Sequence, residues 1–87
     1  MFANRLRVTL CEAGGDRPVP GAWLDQFFMR NFVGLSAFDE TLVVGDGSIE
    51  TGFAVDREVV RGQLENWLRG RKMIPDGTTL AVEVIAR

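Results

Sequence analysis

Thr41-Leu-Val-Val-Gly-Asp-Gly-Ser-Ile-Glu-Thr-Gly-Phe-Ala-Val55 is the stretch whose reading decides the fold. Asp46-Gly47 lies between two β-prone runs, where an Asp-Gly pair supplies the positive φ values of a tight primed turn, so the segment reads as a β-hairpin. In its first strand Leu42 and Val44 share one side, with Thr41 and Val43 on the other. In its second, Ile49, Thr51, Phe53 and Val55 share one face, leaving Ser48, Glu50, Gly52 and Ala54 opposite. Phe53 is therefore expected on the core side. Gly52 inside a strand points to a bulge or a close backbone approach.

A helical pattern flanks the hairpin on each side. Upstream, Leu24, Phe28, Phe32 and Leu35 recur at helical spacing and Trp23 and Phe27 widen the stripe, which predicts a helix from Ala22, with Gly21 as N-cap and Gly34 at its end. Downstream, Asp56 stands where an N-cap belongs, ahead of a helix over Arg57 to Arg69 whose stripe is Val60, Leu64, Trp67 and Leu68, closed by Gly70. Glu65 and Arg69 are four apart in the favourable order. Gly62 inside that helix signals either tight packing against a neighbour or simple tolerance.

Outside the helices lie two more strands. Leu6, Val8 and Leu10 alternate with Arg7, Thr9 and Cys11 over Arg5 to Glu12, and Leu80, Val82 and Val84 alternate over Thr78 to Ile85. Ala13 to Gly21, broken by two prolines and several glycines, reads as a loop, and Pro75-Asp76-Gly77 as a turn. The order is β-α-β-β-α-β in a single small domain spanning residues 1–87. This α+β arrangement resembles the ferredoxin-like split βαβ fold, which implies one antiparallel sheet with two helices on one face and the other face open. Arg17-Pro-Val-Pro-Gly-Ala22 and Gly52-Phe-Ala-Val55 also resemble pieces of small transthyretin-like β-sandwiches. The helical spacing from Ala22 to Val33 ranks that alternative second.

Composition narrows the chemistry. The chain has no His and no Tyr and a single cysteine, Cys11, which removes the commonest general base and the usual transition-metal ligand sets. Catalysis is not expected, nor is a cofactor or a metal. Cys11 reads as a small strand residue. The acidic residues Asp39, Glu40, Asp46 and Glu50 read as solvation of the hairpin and its entry, not as a hard-cation site. The Gly14-Gly15-Asp16-Arg17 stretch matches no phosphate-binding fingerprint.

A net charge of −2 and a pI near 5.0 give no global field for a phosphate backbone. The strand and helix order also occurs in RNA-recognition modules, and Gly52-Phe-Ala-Val55 is similar to a truncated piece of their central aromatic motif. Stacking of bases requires exposed aromatics on the central strands, whereas strand one presents Arg5, Arg7, Thr9 and Cys11. Nucleic acid is not an expected partner. The lone cysteine suits a reducing compartment, no apolar run approaches the ~20 residues of a membrane span, and Met1-Phe-Ala-Asn-Arg5 lacks the basic-then-apolar order of a signal peptide. The expectation is a cytoplasmic protein without membrane association.

Two features suit a protein partner. Trp23, Phe27, Phe28 and Phe32 crowd one helix in a stripe wider than one sheet face is expected to cover. Trp23 or Phe27 with Met29 would then form an exposed apolar patch, and Trp and Met side chains are enriched at contacts between proteins. Arg61, Arg69, Arg71 and Lys72 concentrate positive charge on the second helix, either complementing its dipole or docking an acidic partner or a phosphate. The expected function is a non-enzymatic protein–protein binding module: an adaptor, a small inhibitor or a homodimerising domain. Its contact surface is either a free strand edge or the Trp23–Phe27–Met29 side of helix one. The alternative is an RNA- or small-ligand-binding domain that uses the open sheet face with Arg5 and Arg7.

Overall fold

The computed structural model describes residues 2–30 and 43–86, without the side chains of Phe2, Ala3, Phe53 and Ala86. Its elements are β1 (Phe2–Cys11), β2 (Arg17–Pro18), α1 (Gly21–Arg30), β3 (Val43–Gly45), β4 (Ser48–Asp56), α2 (Arg57–Gly70) and β5 (Thr79–Ala86). Strand β1 is central. Along one edge it pairs with β5, from Arg5↔Ala86 to Cys11↔Thr79, and along the other first with β4 and then with the two residues of β2. With β3 outside β4, every pairing is antiparallel. A small α+β domain with one antiparallel sheet and two helices, consistent with a ferredoxin-like class, is what results; the two helices exclude the β-sandwich alternative.

Alternation in the strands and helical spacing in α1 and α2 converge on one core. Leu6, Val8 and Leu10 of β1, Ile49 and Val55 of β4, and Leu80 and Val82 of β5 are buried together with Leu24, Phe27 and Phe28 of α1 and Val60, Leu64 and Leu68 of α2. On β4 Ser48, Glu50, Gly52 and Ala54 are exposed and Thr51 is buried, as the period of two demands. The expectation for the Phe53 side chain lies outside the described residues, as do Phe32, Gly34 and Leu35 of the helix-one reading. Opposite Gly52 the β1–β4 register shifts between Ala3 and Arg5, the irregularity that an interior glycine announced.

Three local expectations are corrected. Pro20, not Gly21, caps α1, since its carbonyl accepts from the N–H of Trp23 and Leu24 at 3.0 and 3.3 Å. Gly70 ends α2 as expected. The residue that turns left-handed is Lys72, at φ 59°, with Met73 N–H bonded to the Leu68 carbonyl and Lys72 N–H to that of Arg69, the two bonds of a Schellman cap. The hairpin turn is not of the doubly positive primed type, because Gly47 has φ 71° while Lys72 is the one non-glycine residue with positive φ among those described. The Ala13–Gly21 loop contains a short strand and a fully buried side chain, Val19.

The last two corrections share one cause. Gly47 donates its N–H to Val19 O at 2.7 Å and its carbonyl accepts from Val8 N–H at 2.8 Å, so the hairpin tip is stitched into β1 and the β1–α1 connection. Its backbone approaches Pro18 so closely that a Cβ at position 47 would lie 2.6 Å from Pro18 Cβ. Asp46 turns back to accept the Gly21 N–H at 2.7 Å through Oδ1, supplying the N-terminus of α1 with a side-chain acceptor from another element.

Candidate protein-docking surface on helix one

Helix α1 is covered on two sides. Leu24 and Phe28 are buried, and Phe27 is also buried at 1% exposure, its ring 5.1 Å from Phe28 in an edge-to-face pair and 5.5 Å from Trp67 of α2. The aromatic stripe is too wide for the sheet alone, and α2 takes the surplus. Phe27 is therefore withdrawn from the expected docking residues: it belongs to the core. Trp23 packs partly against that core, and Met29 stays 62% exposed, the most exposed large apolar side chain among the described residues.

A shallow groove joins these residues. Trp23 and Met29 line it from α1, flanked by Asp25 and Arg30, and Met73 closes it from the segment after α2. Met73 also borders a second depression with Arg69, Lys72 and Asp76, so it stands between the groove and the end of α2. Sequence reasoning missed Met73 and Arg30. The signal for Met73 was the Met73-Ile74 pair just past a helix end, where a Schellman cap places an apolar contact; Ile74 is indeed buried.

The four cations expected on α2 divide into two kinds. Arg61 reaches Glu58 Oε2 at 3.1 Å and Glu65 Oε2 at 3.4 Å, while Arg69 reaches Glu65 Oε1 at 3.1 Å and donates to the Thr78 carbonyl at 2.9 Å. Spacings of three and four residues place these groups on one helix face, so Arg61 and Arg69 are ion-paired within the molecule while staying partly exposed. Arg71 has its guanidinium carbon 5.1 Å from the Trp67 ring centroid, a cation–π placement, and Lys72 is exposed. These two remain available to a partner.

The other expected surfaces are less open. On the sheet edge of β5, Glu65 Oε2 accepts the Leu80 N–H at 3.3 Å and Arg69 occupies the Thr78 carbonyl, while the β1–β5 register shifts near Ile85. An edge stoppered at one end and kinked at the other is poorly suited to adding a strand. On the open sheet face Arg5 lies 4.0 Å from Glu50 and Arg7 3.7 Å from Glu83, each in register across the sheet. Both arginines of the ligand-binding alternative thus face a neighbouring carboxylate. A depression there, lined by Arg7, Thr9, Arg17 and Ser48, has Arg17 paired with Glu12 Oε1 at 3.0 Å.

No family model, curated protein or solved structure matches the chain. The surface must be read from its own chemistry. Cys11 is partly buried at the end of β1 opposite Thr79, and among the described residues no three His, Cys, Asp or Glu side chains group as a metal site. Asp39 and Glu40 lie outside the described residues; Asp46 serves α1 and Glu50 serves Arg5. No described helix is long and apolar enough to cross a membrane.

Proposed function

We propose that the protein is a non-enzymatic, ferredoxin-like protein-binding module that engages another protein through the outer side of α1. The observation that carries this reading is the exposure of Met29 in one groove with Trp23 and Met73. Large apolar groups on a small domain stabilise nothing while they face water, and a flexible thioether beside an indole adapts to apolar side chains of a partner. A composition without His or Tyr supports the non-enzymatic half of the reading.

Site-specific photocrosslinking tests the proposal. A benzophenone side chain placed at position 29 should yield a protein adduct in extract of the native host, and one placed at Ser48 on the open sheet face should not. Adducts at both positions alike, or at position 48 alone, count against the reading. An adduct of the chain with itself at position 29 assigns the surface to homodimerisation.

A further inference from the structure

We infer that the partner seated on the α1 groove is an acidic segment of another protein, carrying large apolar side chains between its carboxylates. This inference rests on the docking reading above and adds the charge of what docks. Its basis is the distribution of ion pairs over the described residues. Arg5, Arg7, Arg17, Arg57, Arg61 and Arg69 each have a carboxylate within 4.0 Å. Arg30, Arg71 and Lys72 have no carboxylate partner among the described residues. Arg30 lines the groove, Lys72 lines the second depression on the other side of Met73, and Arg71 lines neither but lies on Trp67, whose ring meets Phe27 of α1.

Arg30 shares its depression with Met29 and Asp25, and Lys72 shares the other with Asp76. With Arg71 the three unpaired cations outnumber the two carboxylates by one on a chain of net charge −2, a local balance opposite in sign to the overall one. Such a balance speeds encounter with an acidic partner and fixes its orientation. Asp25 and Asp76 face the same surface and oppose a continuous polyanion. A nucleic-acid backbone, with its charges closely and evenly spaced, meets both carboxylates, and of the apolar side chains only Trp23 offers a base a stacking face, Met29 and Met73 offering none. A peptide can set its carboxylates apart, against Arg30 at one end and Lys72 and Arg71 at the other, with apolar side chains between. From Ala22 to Arg30 the groove wall is roughly 12 Å long at 1.5 Å per helical residue, about two turns of a docked helix.

The test uses two fluorescent 16-residue helical peptides with leucines on one face, one with glutamates and the other with lysines on the remaining positions, and a short single-stranded RNA. Binding to the intact chain is followed by anisotropy up to roughly 1 mM. The glutamate peptide should bind saturably and weaken as salt rises from about 20 mM to about 0.5 M. It should lose about tenfold in affinity on Met29→Glu, and about as much on Arg71→Gln combined with Lys72→Gly. Lys72→Gly removes the charge while relieving a left-handed residue, and circular dichroism of each variant establishes that the fold persists. Equal binding of the lysine peptide, or loss on Met29→Glu with no effect of the charge variants, overturns the acidic partner and leaves the docking surface standing. Preferential binding of the RNA overturns it as well. Absence of peptide binding overturns it alone if position 29 still crosslinks to a protein, and together with the docking reading if it does not.

Discussion

Single residues carry the clearest energetic consequences. Lys72 adopts φ 59° to complete the α2 cap, a conformation in which Cβ crowds the carbonyl that follows and which glycine takes freely. Lys72→Gly is expected to stabilise the fold by about 1 kcal/mol, read as a rise in Tm of roughly 4–8 °C. Gly62 has nothing within 4 Å of where a Cβ would stand, so it is tolerated and not required. Gly62→Ala should add about 0.5–1 kcal/mol in a urea titration. Asp56 accepts the N–H groups of Glu58 and Val59 at 2.9 and 3.2 Å. The Val59 bond, helped by that of Glu58 and opposed by partial desolvation, holds its carboxyl below the ordinary value of 3.8. A native value below the unfolded one means that the stabilisation is complete above the unfolded pKa and disappears as pH falls through the native one. The advantage of the natural chain over Asp56→Asn in urea should accordingly shrink from about pH 6 to about pH 2.

At the scale of elements, α1 depends on the hairpin for its start. Gly21 N–H bonds to Asp46 across 25 positions of sequence, and a Cβ at Gly21 would stand 3.0 Å from the Gly45 carbonyl carbon. Asp46→Ala should cost about 1 kcal/mol by removing that acceptor, whereas Asp46→Asn should retain most of the stability; chemical denaturation of the two variants separates capping from charge. The elements themselves were legible because their periods are strong. Leu6-Val8-Leu10 and Leu80-Val82-Val84 alternate cleanly, and Val60, Leu64 and Leu68 recur at one helix turn. What escaped was set by contacts between elements. Nothing local distinguishes Val19 in a proline-rich connection from a solvated residue, and it is buried because the hairpin tip closes over it. Likewise Phe27 is core because α2 supplies Trp67, a fact of packing that the spacing of α1 alone does not contain.

For the whole molecule, charge placement matters more than charge total. The sequence showed that the sum was slightly acidic; it did not show that Glu50 and Glu83 would stand opposite Arg5 and Arg7 across the sheet. Exposed pairs of this kind contribute little to stability, yet each carboxylate competes with any incoming anion for its arginine. The natural chain is therefore expected to show no measurable affinity for short single-stranded RNA through its open face, and the double variant Glu50→Gln/Glu83→Gln to acquire a weak, salt-sensitive one. Anisotropy with a labelled oligonucleotide measures both. The candidate surface was half legible for the same reason: the exposure of Met29, Arg71 and Lys72 agreed with composition and helical position, while the ion pairs of Arg61 and Arg69 required the geometry of Glu58 and Glu65.

Gly47 has a consequence for anyone who labels or reconnects this chain. A hairpin turn is ordinarily the place where a tag, a loop extension or new termini are accepted with least harm, since nothing else touches it. Here both backbone groups of that residue are committed to Val8 and Val19, so the turn at 46–47 behaves as interior, and an insertion there would pull apart three segments at once. The exposed Gly14-Gly15 turn, where neither glycine would bring a Cβ within 4 Å of another group, is the permissive site instead.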